Sequence, residues 1–383
     1  MRAVMLAVVL VAASSTSAPA QSPANPIIDN YHAYVAALQR ADLPGAETAA
    51  QAALTASQAR DGEGGRTGVL ALNLVQVQLL RGEAAQAAPA ADLLLRIAQT
   101  RGDSGVNLLA ARLVHGQTVL ATRGAQGRDE LEAGLREAEH NSDVEDYAYP
   151  ASVALAQWAL WDHQYPLARE AWAWAATHAN GAFSDPELAR AQARTGEAAS
   201  LLLDQRAEDA TPAWTMLLEV HDQLYSAAHR DTPDHAVSDV QWVYAQAQAW
   251  FAIANLRNTQ VVPLDQIEDQ SRVTLHEPDT NFCPMNWVRP QNDDLSRFYP
   301  REAIDRGIEG VVVARLVTDE GGAIVKADAI ASAPDRMFER SASSLFSRGT
   351  LQRADHAPDG CVMPHVDFET VHFQIEGRHR RRH

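Results

Sequence analysis

The side chains best suited to metal chemistry lie near the end of the chain. His356, Cys361 and His365 fall close together, and imidazole and thiolate groups are common zinc ligands. A structural zinc site needs a fourth ligand, and the sequence offers no evident one. Cys361 has a second use, because Cys283 is the only other cysteine and an oxidising compartment favours pairing them. The sequence therefore predicts a Cys283–Cys361 disulfide and no metal site, with two separately buried thiols as the alternative.

The sequence carries none of the motifs that would indicate an enzyme. It has no glycine-rich phosphate loop, no HExxH pair and no GxSxG nucleophile turn. We therefore predict a non-enzymatic protein with no catalytic residues and no cofactor. The acidic balance, 49 Asp plus Glu against 32 Lys plus Arg, argues against nucleic acid as a partner, because phosphate binding needs a basic face.

The N-terminus, MRAVMLAVVLVAASSTSAPAQS, has the layout of a secretory signal. Arg2 precedes an apolar core that is shorter than the about 20 residues needed to span a bilayer. Ala18 and Ala20 are small residues of the kind that a signal peptidase requires. We expect residues 1–20 to be removed and the mature chain to reside in the periplasm. An uncleaved inner-membrane anchor facing the periplasm is the alternative.

A helical array precedes the C-terminal part. Helix–turn–helix segments recur about every 40 residues between residues 25 and 257. Their turns begin near Ala41, Arg81, Arg123, Trp161 and Asp204. These copies resemble tetratricopeptide repeats, in which a helix with large apolar residues is followed by a turn and an alanine-rich helix. The best-fitting copy contains Trp158, Trp161, Tyr165, Ala168 and Ala171.

The resemblance to tetratricopeptide repeats implies a solenoid, because each helix pair leaves an apolar face that its neighbour covers. Such a stack offers a concave surface on which a second protein could bind. Core packing is the expected role of four further tryptophans, Trp172, Trp174, Trp242 and Trp250.

Residues 258–298 are predicted to be a connector. The segment is interrupted by four prolines, Pro263, Pro278, Pro284 and Pro290, which exclude a long helix. One short strand at Arg272 is the only element predicted there. The disulfide would fasten this connector to the last domain. The basic tail at 378–383 is typical of a solvated chain end, with contact to anionic envelope polymers as its functional alternative.

The last domain, residues 299–377, has the predicted order helix, strand, strand, helix, strand. Pro300 and Gly307 bound the first helix. The strands EGVVVARLVT and AIVKADAIAS flank the hairpin turn DEGG. The second helix, DRMFERSASSLFS, has Ser332 or Asp335 as its cap. Its apolar stripe consists of Phe338, Ala342 and Leu345.

The final strand, HVDFETVHFQI, alternates imperfectly. Its apolar residues fall on two faces, Val366 and Phe368 on one, and Val371, Phe373 and Ile375 on the other. A change of face within one strand requires an extra residue. The sequence therefore predicts a β-bulge near Glu369 or Thr370.

The element order and several motifs resemble the C-terminal domain of TonB, the energy transducer of Gram-negative envelopes. The matching residues are Tyr299-Pro300, Ala303, Glu309-Gly310, Asp319 to Gly322, and Met337-Phe338-Glu339-Arg340. The resemblance covers about residues 299–377 and none of the helical array. The family's Trp-x-aromatic-x-Pro run after the second helix is replaced here by Gly349, Leu351 and Arg353. TonB has a membrane anchor that carries a histidine, whereas the apolar segment here contains no histidine. A helical array stands here in place of the long Pro-rich spacer of TonB.

The resemblance implies a periplasmic binding protein linked to TonB-dependent transport across the outer membrane. Its partner would be an envelope protein, and the family's own partner is the plug of a TonB-dependent transporter. Two alternatives stay open. One is a membrane-anchored energy transducer with an uncleaved N-terminus, and the other is a periplasmic assembly scaffold whose β domain caps the helical array.

The strand order of the family places the last strand at a sheet edge. An edge strand exposes unpaired peptide groups, which can accept an extended segment of a partner as a further strand. The predicted partner-binding residues are Val366, Phe368, Thr370, Val371, His372, Phe373 and Ile375. Main-chain hydrogen bonds would supply affinity, and Phe368, His372 and Phe373 would supply selectivity. A plain exposed edge or a homodimer contact is the alternative.

Overall fold

The computed structural model describes residues 25–100, 105–182, 185–204, 210–229, 237–259, 283, 285–288, 295–306, 308, 310–319, 322–333, 337–355, 357 and 359–373. The chain divides into two compact units, Met1–Ala193 and Arg194–His383. The predicted strand at Arg272 and the N-terminal signal lie outside the described residues.

The first unit is built from helices joined by short turns. Their bounds are α1 Pro26–Gln39, α2 Leu43–Asp61, α3 Gly65–Leu80, α4 Ala84–Thr100, α5 Leu108–Arg123, α6 Ala125–Ala138, α7 Glu145–Trp161, α8 Tyr165–Thr177 and α9 Pro186–Leu203, which continues into the second unit. Consecutive helices from α1 to α8 contact each other, and α5 also contacts both α3 and α7. This pattern is that of a helical solenoid, so the region is consistent with helical repeats.

The turns predicted from the sequence coincide with helix boundaries in the structure. The first four predicted turns separate α1 from α2, α3 from α4, α5 from α6, and α7 from α8, and the fifth follows α9. Asp42 caps α2, because its side-chain oxygen accepts a hydrogen bond from the Gly45 amide at 2.9 Å. Asn107 caps α5 in the same way through the Leu109 amide at 2.8 Å. Such caps satisfy amide groups that the first helical turn leaves without partners.

Small residues allow the helices of each pair to approach closely. Ala46, Ala50 and Ala53 of α2 are buried. A β-carbon at Gly127 would lie 2.2 Å from the backbone nitrogen of Leu120, so α5 and α6 can meet there only with glycine. The alanine-rich composition therefore serves close helix packing.

His115 joins three helices of the first unit. Its Nε2 atom lies 3.1 Å from Asp92 on α4, and its Nδ1 atom lies 3.1 Å from Glu130 on α6. The hydrogen bond with Glu130 raises the pKa of His115 above its ordinary value, against the opposing effect of burial. The ring of His115 therefore bridges two carboxylates across α5.

In the described part of the second unit there are four more α-helices and five strands. The helices are α10 Ala210–His229, α11 Asp239–Thr259, α12 Arg301–Arg306 and α13 Glu339–Phe346. The strands are β1 Met285–Val288, β2 Gly310–Thr318, β3 Ile324–Ala333, β4 Thr350–Arg353 and β5 Val366–Phe373. The prediction of a helical region followed by a small α+β domain is confirmed. The strands β1 and β4 form an additional two-stranded sheet that the sequence pattern did not predict.

The main sheet is antiparallel, with the order β3-β2-β5. The pairing of β2 with β5 runs without interruption from Gly310 opposite Phe373 to Val317 opposite Val366. The predicted bulge near Glu369 or Thr370 is therefore wrong. Register shifts occur instead between β2 and β3, after Val313 and after Val317.

The absence of a bulge in β5 has a simple cause, which is that both faces of the main sheet are covered. One face packs in a core that contains Leu316, Phe338 and Phe373. The opposite face meets α11, which contacts β2, β3 and β5. Apolar residues on both faces of β5, at even-numbered and at odd-numbered positions, are thus buried without any change of register.

Helix α13 begins later than predicted. It starts at Glu339 with Phe338 at the cap position and no side-chain cap bond. Ser332 lies in β3 and bonds the Glu339 carboxylate instead, and Asp335 lies outside the described residues. The predicted apolar stripe is confirmed, because Phe338, Ala342 and Leu345 are all buried.

The tryptophans divide between core and surface. Trp172 and Trp174 are buried, as expected, and Trp250 is partly buried. Trp242 is 43% exposed, so the expectation of core packing is wrong for this residue. Its neighbours Gln241, Val243 and Tyr244 are buried and occupy the inward positions of that turn of α11.

The limits of the compact units differ from the predicted domain limits. The predicted array ends at residue 257, whereas α10 and α11 fall within the second unit. The reason is that α11 packs on the main sheet as well as on α10. The last helix pair therefore supplies the cover for one face of the β domain.

Candidate functional site

The candidate site is the outer edge of β5, which pairs only with β2 among the described strands. The Thr318 amide donates a hydrogen bond to the His365 carbonyl at 3.1 Å. Hydrogen-bonded and non-bonded pairs alternate along an antiparallel ladder. It follows that the amides of Asp367, Glu369 and Val371 point toward β2. The peptide groups of Phe368, Thr370 and His372 point outward.

The first half of this edge is already occupied. The outward amide of Phe368 donates to the Asp367 carboxylate at 2.8 Å. The Nε2 atom of His229 lies 3.6 Å from the same carboxylate oxygen, and the Phe368 ring meets the rings of His229 and Tyr244 edge to face, each with centroids 5.1 Å apart. The helices α10 and α11 thereby protect this half of the strand. The open part of the described edge begins at Thr370.

The cluster beneath Phe368 includes a polar network. The Tyr244 hydroxyl lies 2.9 Å from both His221 Nε2 and the Gln248 amide nitrogen, and His221 Nδ1 lies 3.2 Å from Asp222. Burial raises the pKa of Tyr244 and lowers the pKa of His221. These groups hold α10 against α11, and they lie under a covered strand.

The predicted partner-binding residues occupy very different environments. Val366, Phe368 and Phe373 are buried, which removes Phe368 and Phe373 as selectivity residues for a partner. Thr370 and Val371 are partly buried, and His372 is exposed. Ile375 lies outside the described residues. The edge thus presents the outward peptide groups of Thr370 and His372, with the side chain of His372.

A fully buried arginine lies on the face of the sheet that α11 covers. Arg315 stands opposite Phe368, and its side chain has no exposed surface. Its guanidinium makes no hydrogen bond within the described part of the chain, and its nearest carboxylate oxygen, on Asp328, is 4.0 Å away. Asp328 also pairs with Lys326 at 2.6 Å. The burial of this charge could not be predicted from the apolar strand GVVVARLVT, because it depends on the cover that α11 supplies.

The connector strand β1 is fastened to the domain in three ways. It pairs with β4 from Met285 opposite Arg353 to Val288 opposite Thr350. Cys283 is joined to Cys361 by a disulfide with the α-carbons 5.0 Å apart. The ring of Trp287 packs on Phe346 and against Gly349, where a β-carbon would lie 2.1 Å from its Nε1 atom. A tryptophan from β1 therefore covers Gly349.

Glu369 connects β1 with the edge strand. Its carboxylate accepts a hydrogen bond from the Trp287 amide, but burial outweighs that bond and raises the pKa of Glu369 to about 7. The charge of Asp367 raises the pKa further. A carboxyl group with a raised folded-state pKa favours folding when it is protonated. This contribution is complete below pH 4.5, the unfolded value, and is lost as the pH rises through about 7.

We expect Glu369→Gln to remove this pH dependence. The titration of Glu369 alone should lower the free energy of unfolding of the parent by about 2–3 kcal/mol between about pH 5 and pH 8. The variant should resemble the parent at pH 5 and exceed it in stability at pH 8. Urea unfolding at both pH values measures the difference. Glu302→Gln, at an exposed glutamate of α12, is the matched control, and an equal effect of this change would contradict the assignment.

The described residues do not support a metal site at His356, Cys361 and His365. Cys361 is bonded to Cys283, and His356 lies outside the described residues. Among the residues that are described, no cluster of three histidine, cysteine or acidic side chains could hold a metal ion. In the same part of the chain, no helix is both long enough and apolar enough to cross a bilayer.

The fold and the edge define a small α+β domain whose last strand is open on one side. Residues 296–363 match the family described as Gram-negative bacterial TonB protein C-terminal. This part of the chain is thus similar to the C-terminal domain of Gram-negative TonB proteins. The match includes β2, β3, α13 and β4 and ends before β5. No curated protein matches the chain.

Proposed function

We propose that the chain is a periplasmic, non-enzymatic member of the TonB system that captures an extended segment of a partner along β5. Residues 1–20 would be removed as a signal. The partner would be the plug of a TonB-dependent outer-membrane transporter, and the similarity of residues 296–363 to the TonB C-terminal domain supports this choice. The added strand would pair with the outward peptide groups of Thr370 and His372.

The observation that carries this proposal is the uneven protection of the β5 edge. Asp367, His229 and Tyr244 cover its first half, whereas Thr370 and His372 present donors and acceptors beyond that cover. Natural sheets generally protect their edges. A protein that covers half an edge and leaves the adjoining residues accessible is arranged for controlled strand pairing.

A photo-crosslinking residue at position 372 tests the proposal in intact cells. We expect a covalent product with a TonB-dependent transporter, identified by mass spectrometry. Val325 is the matched control, because it is 64% exposed on β3, the opposite edge of the same sheet. A product of equal yield from position 325 would contradict the proposal. A product with twice the mass of the chain would assign the edge to a homodimer.

The packing of α11 on the sheet supports a second candidate function, that of an assembly scaffold. In that function the β domain stabilises the end of the helical part, and a partner binds the array instead of β5. The crosslinking experiment separates the two functions, because the scaffold requires no product at position 372. A second protein on the helical array is compatible with either function.

A further inference from the structure

The α10–α11 pair covers the half of the β5 edge that adjoins the open residues. The Phe368 ring packs against His229 of α10 and Tyr244 of α11, and His229 Nε2 lies 3.6 Å from the Asp367 carboxylate. That carboxylate accepts the hydrogen bond of the outward Phe368 amide. While the pair is in place, an added strand therefore has no access to the peptide group of Phe368.

The same helix pair buries a charge that its surroundings do not satisfy. Arg315 has no exposed side-chain surface, and its three guanidinium nitrogens make no hydrogen bond within the described part of the chain. The Asp328 carboxylate is 4.0 Å from Arg315 and only 2.6 Å from the Lys326 ammonium. Burial of a charge without hydrogen bonds is unfavourable. The packing of α11 on the sheet is therefore less stable than its apolar contacts alone would make it.

A neutral polar group is left unsatisfied near the same contact. Gln248 lies one helical turn from Tyr244 on α11, and its amide nitrogen donates a hydrogen bond to the Tyr244 hydroxyl at 2.9 Å. Its Oε1 atom is buried and has no hydrogen-bond partner among the described residues. A buried acceptor without a donor also disfavours the packed state. Separation of α11 from the sheet would allow water to reach both Gln248 and Arg315.

We propose that the α10–α11 pair is an autoinhibitory cover, which separates from the sheet when a partner strand binds along β5. Separation hydrates Arg315 and releases Asp367 from His229, so the Phe368 amide becomes a donor for the added strand. The strand then pairs with three outward residues, Phe368, Thr370 and His372, instead of two. This inference rests on the proposed function for the identity of the binding edge, whereas the separation itself is measurable without a partner.

Thiol labelling of the mature chain detects the separation. The two native cysteines are joined in a disulfide, so an introduced cysteine is the only free thiol under non-reducing conditions. Val312 and Val313 are both buried and lie on opposite faces of β2. Val312 belongs to the core of Phe338, and Val313 lies on the face that α11 covers. Val313→Cys should react at least about tenfold faster than Val312→Cys, because local opening costs less than global unfolding.

Arg315→Met tests the contribution of the buried charge. Methionine is unbranched and needs no hydrogen bonds, and Asp328 keeps its contact with Lys326. In the Val313→Cys background this change should slow labelling by about tenfold, and it should weaken capture of a transporter plug segment by a similar factor. Arg301→Met, at an exposed arginine of α12, is the matched control and should change neither rate nor capture. Circular dichroism establishes that the variants are folded.

The two measurements separate this inference from the proposed function. Equal labelling rates at positions 312 and 313, or an Arg315→Met variant labelled as fast as the parent, would overturn the inference. Slower labelling with unchanged capture would also overturn it, because capture would then not require the separation. A parent chain that captures no plug segment would contradict the proposed function, and the labelling rates alone would then decide whether α10 and α11 separate from the sheet.

Discussion

Replacement of Thr370 by proline is expected to abolish partner capture while the C-terminal domain stays folded. The Thr370 amide points away from β2, so its removal breaks no hydrogen bond within the sheet, and proline is tolerated on edge strands in that orientation. The loss of stability should be about 1 kcal/mol. The added strand loses a donor and meets the proline ring, which should lower affinity by at least about tenfold. Pull-down with the plug segment of a TonB-dependent transporter measures the loss.

Val371→Pro is the control for the Thr370 experiment. The register pairs Val371 with Val312, and the alternation of the ladder directs the Val371 amide into the sheet. Its loss should destabilise the domain by at least about 2 kcal/mol, because a buried carbonyl of β2 is left without a partner. The sequence alone does not distinguish these two positions, whereas the register gives their amides opposite directions. A folded Thr370→Pro variant that binds as well as the parent would assign capture to the helical array.

The helical part could be predicted because its signals are local. The Asp42 and Asn107 caps and the glycine-containing turns operate within a few residues, and their positions match helix boundaries. The β2–β3 hairpin was equally accessible, since its valine-rich strand is followed by a turn in which Gly322 has a φ of 80°. Such features depend on neighbours in the sequence and not on the tertiary fold.

The features that the sequence did not reveal depend on long-range packing. The apparent change of face in β5 suggested a bulge, but the strand is regular because α11 covers one side and the core of Phe338 covers the other. Strand β1 was missed because its four residues lie in a proline-rich segment and are stabilised by β4, which is distant in the sequence. Met285 pairs with Arg353, 68 positions further along the chain. The open extent of the β5 edge was equally hidden, because α10 supplies the residue that covers Asp367.

Replacement of Gly349 by alanine is expected to release β1 from the domain. The new methyl carbon would lie 2.1 Å from Trp287 Nε1, 2.5 Å from Trp287 Cε2 and 2.8 Å from the Val288 carbonyl oxygen. The indole must move, and with that movement it loses its contact with Phe346 and its 3.4 Å hydrogen bond to the Phe346 carbonyl. Overpacking and the loss of tryptophan burial together should cost about 2–4 kcal/mol. Hydrogen exchange of the β1 and β4 amides should accelerate, whereas β2 should stay protected.

A double-mutant cycle separates this collision from a general effect of alanine in the turn. In a Trp287→Ala background the main obstruction is absent, so Gly349→Ala should cost much less than in the parent. Contacts through a shared side chain give such non-additivity, whereas independent sites add within about 0.5 kcal/mol. Additive losses would show that Trp287 does not fill the space over Gly349.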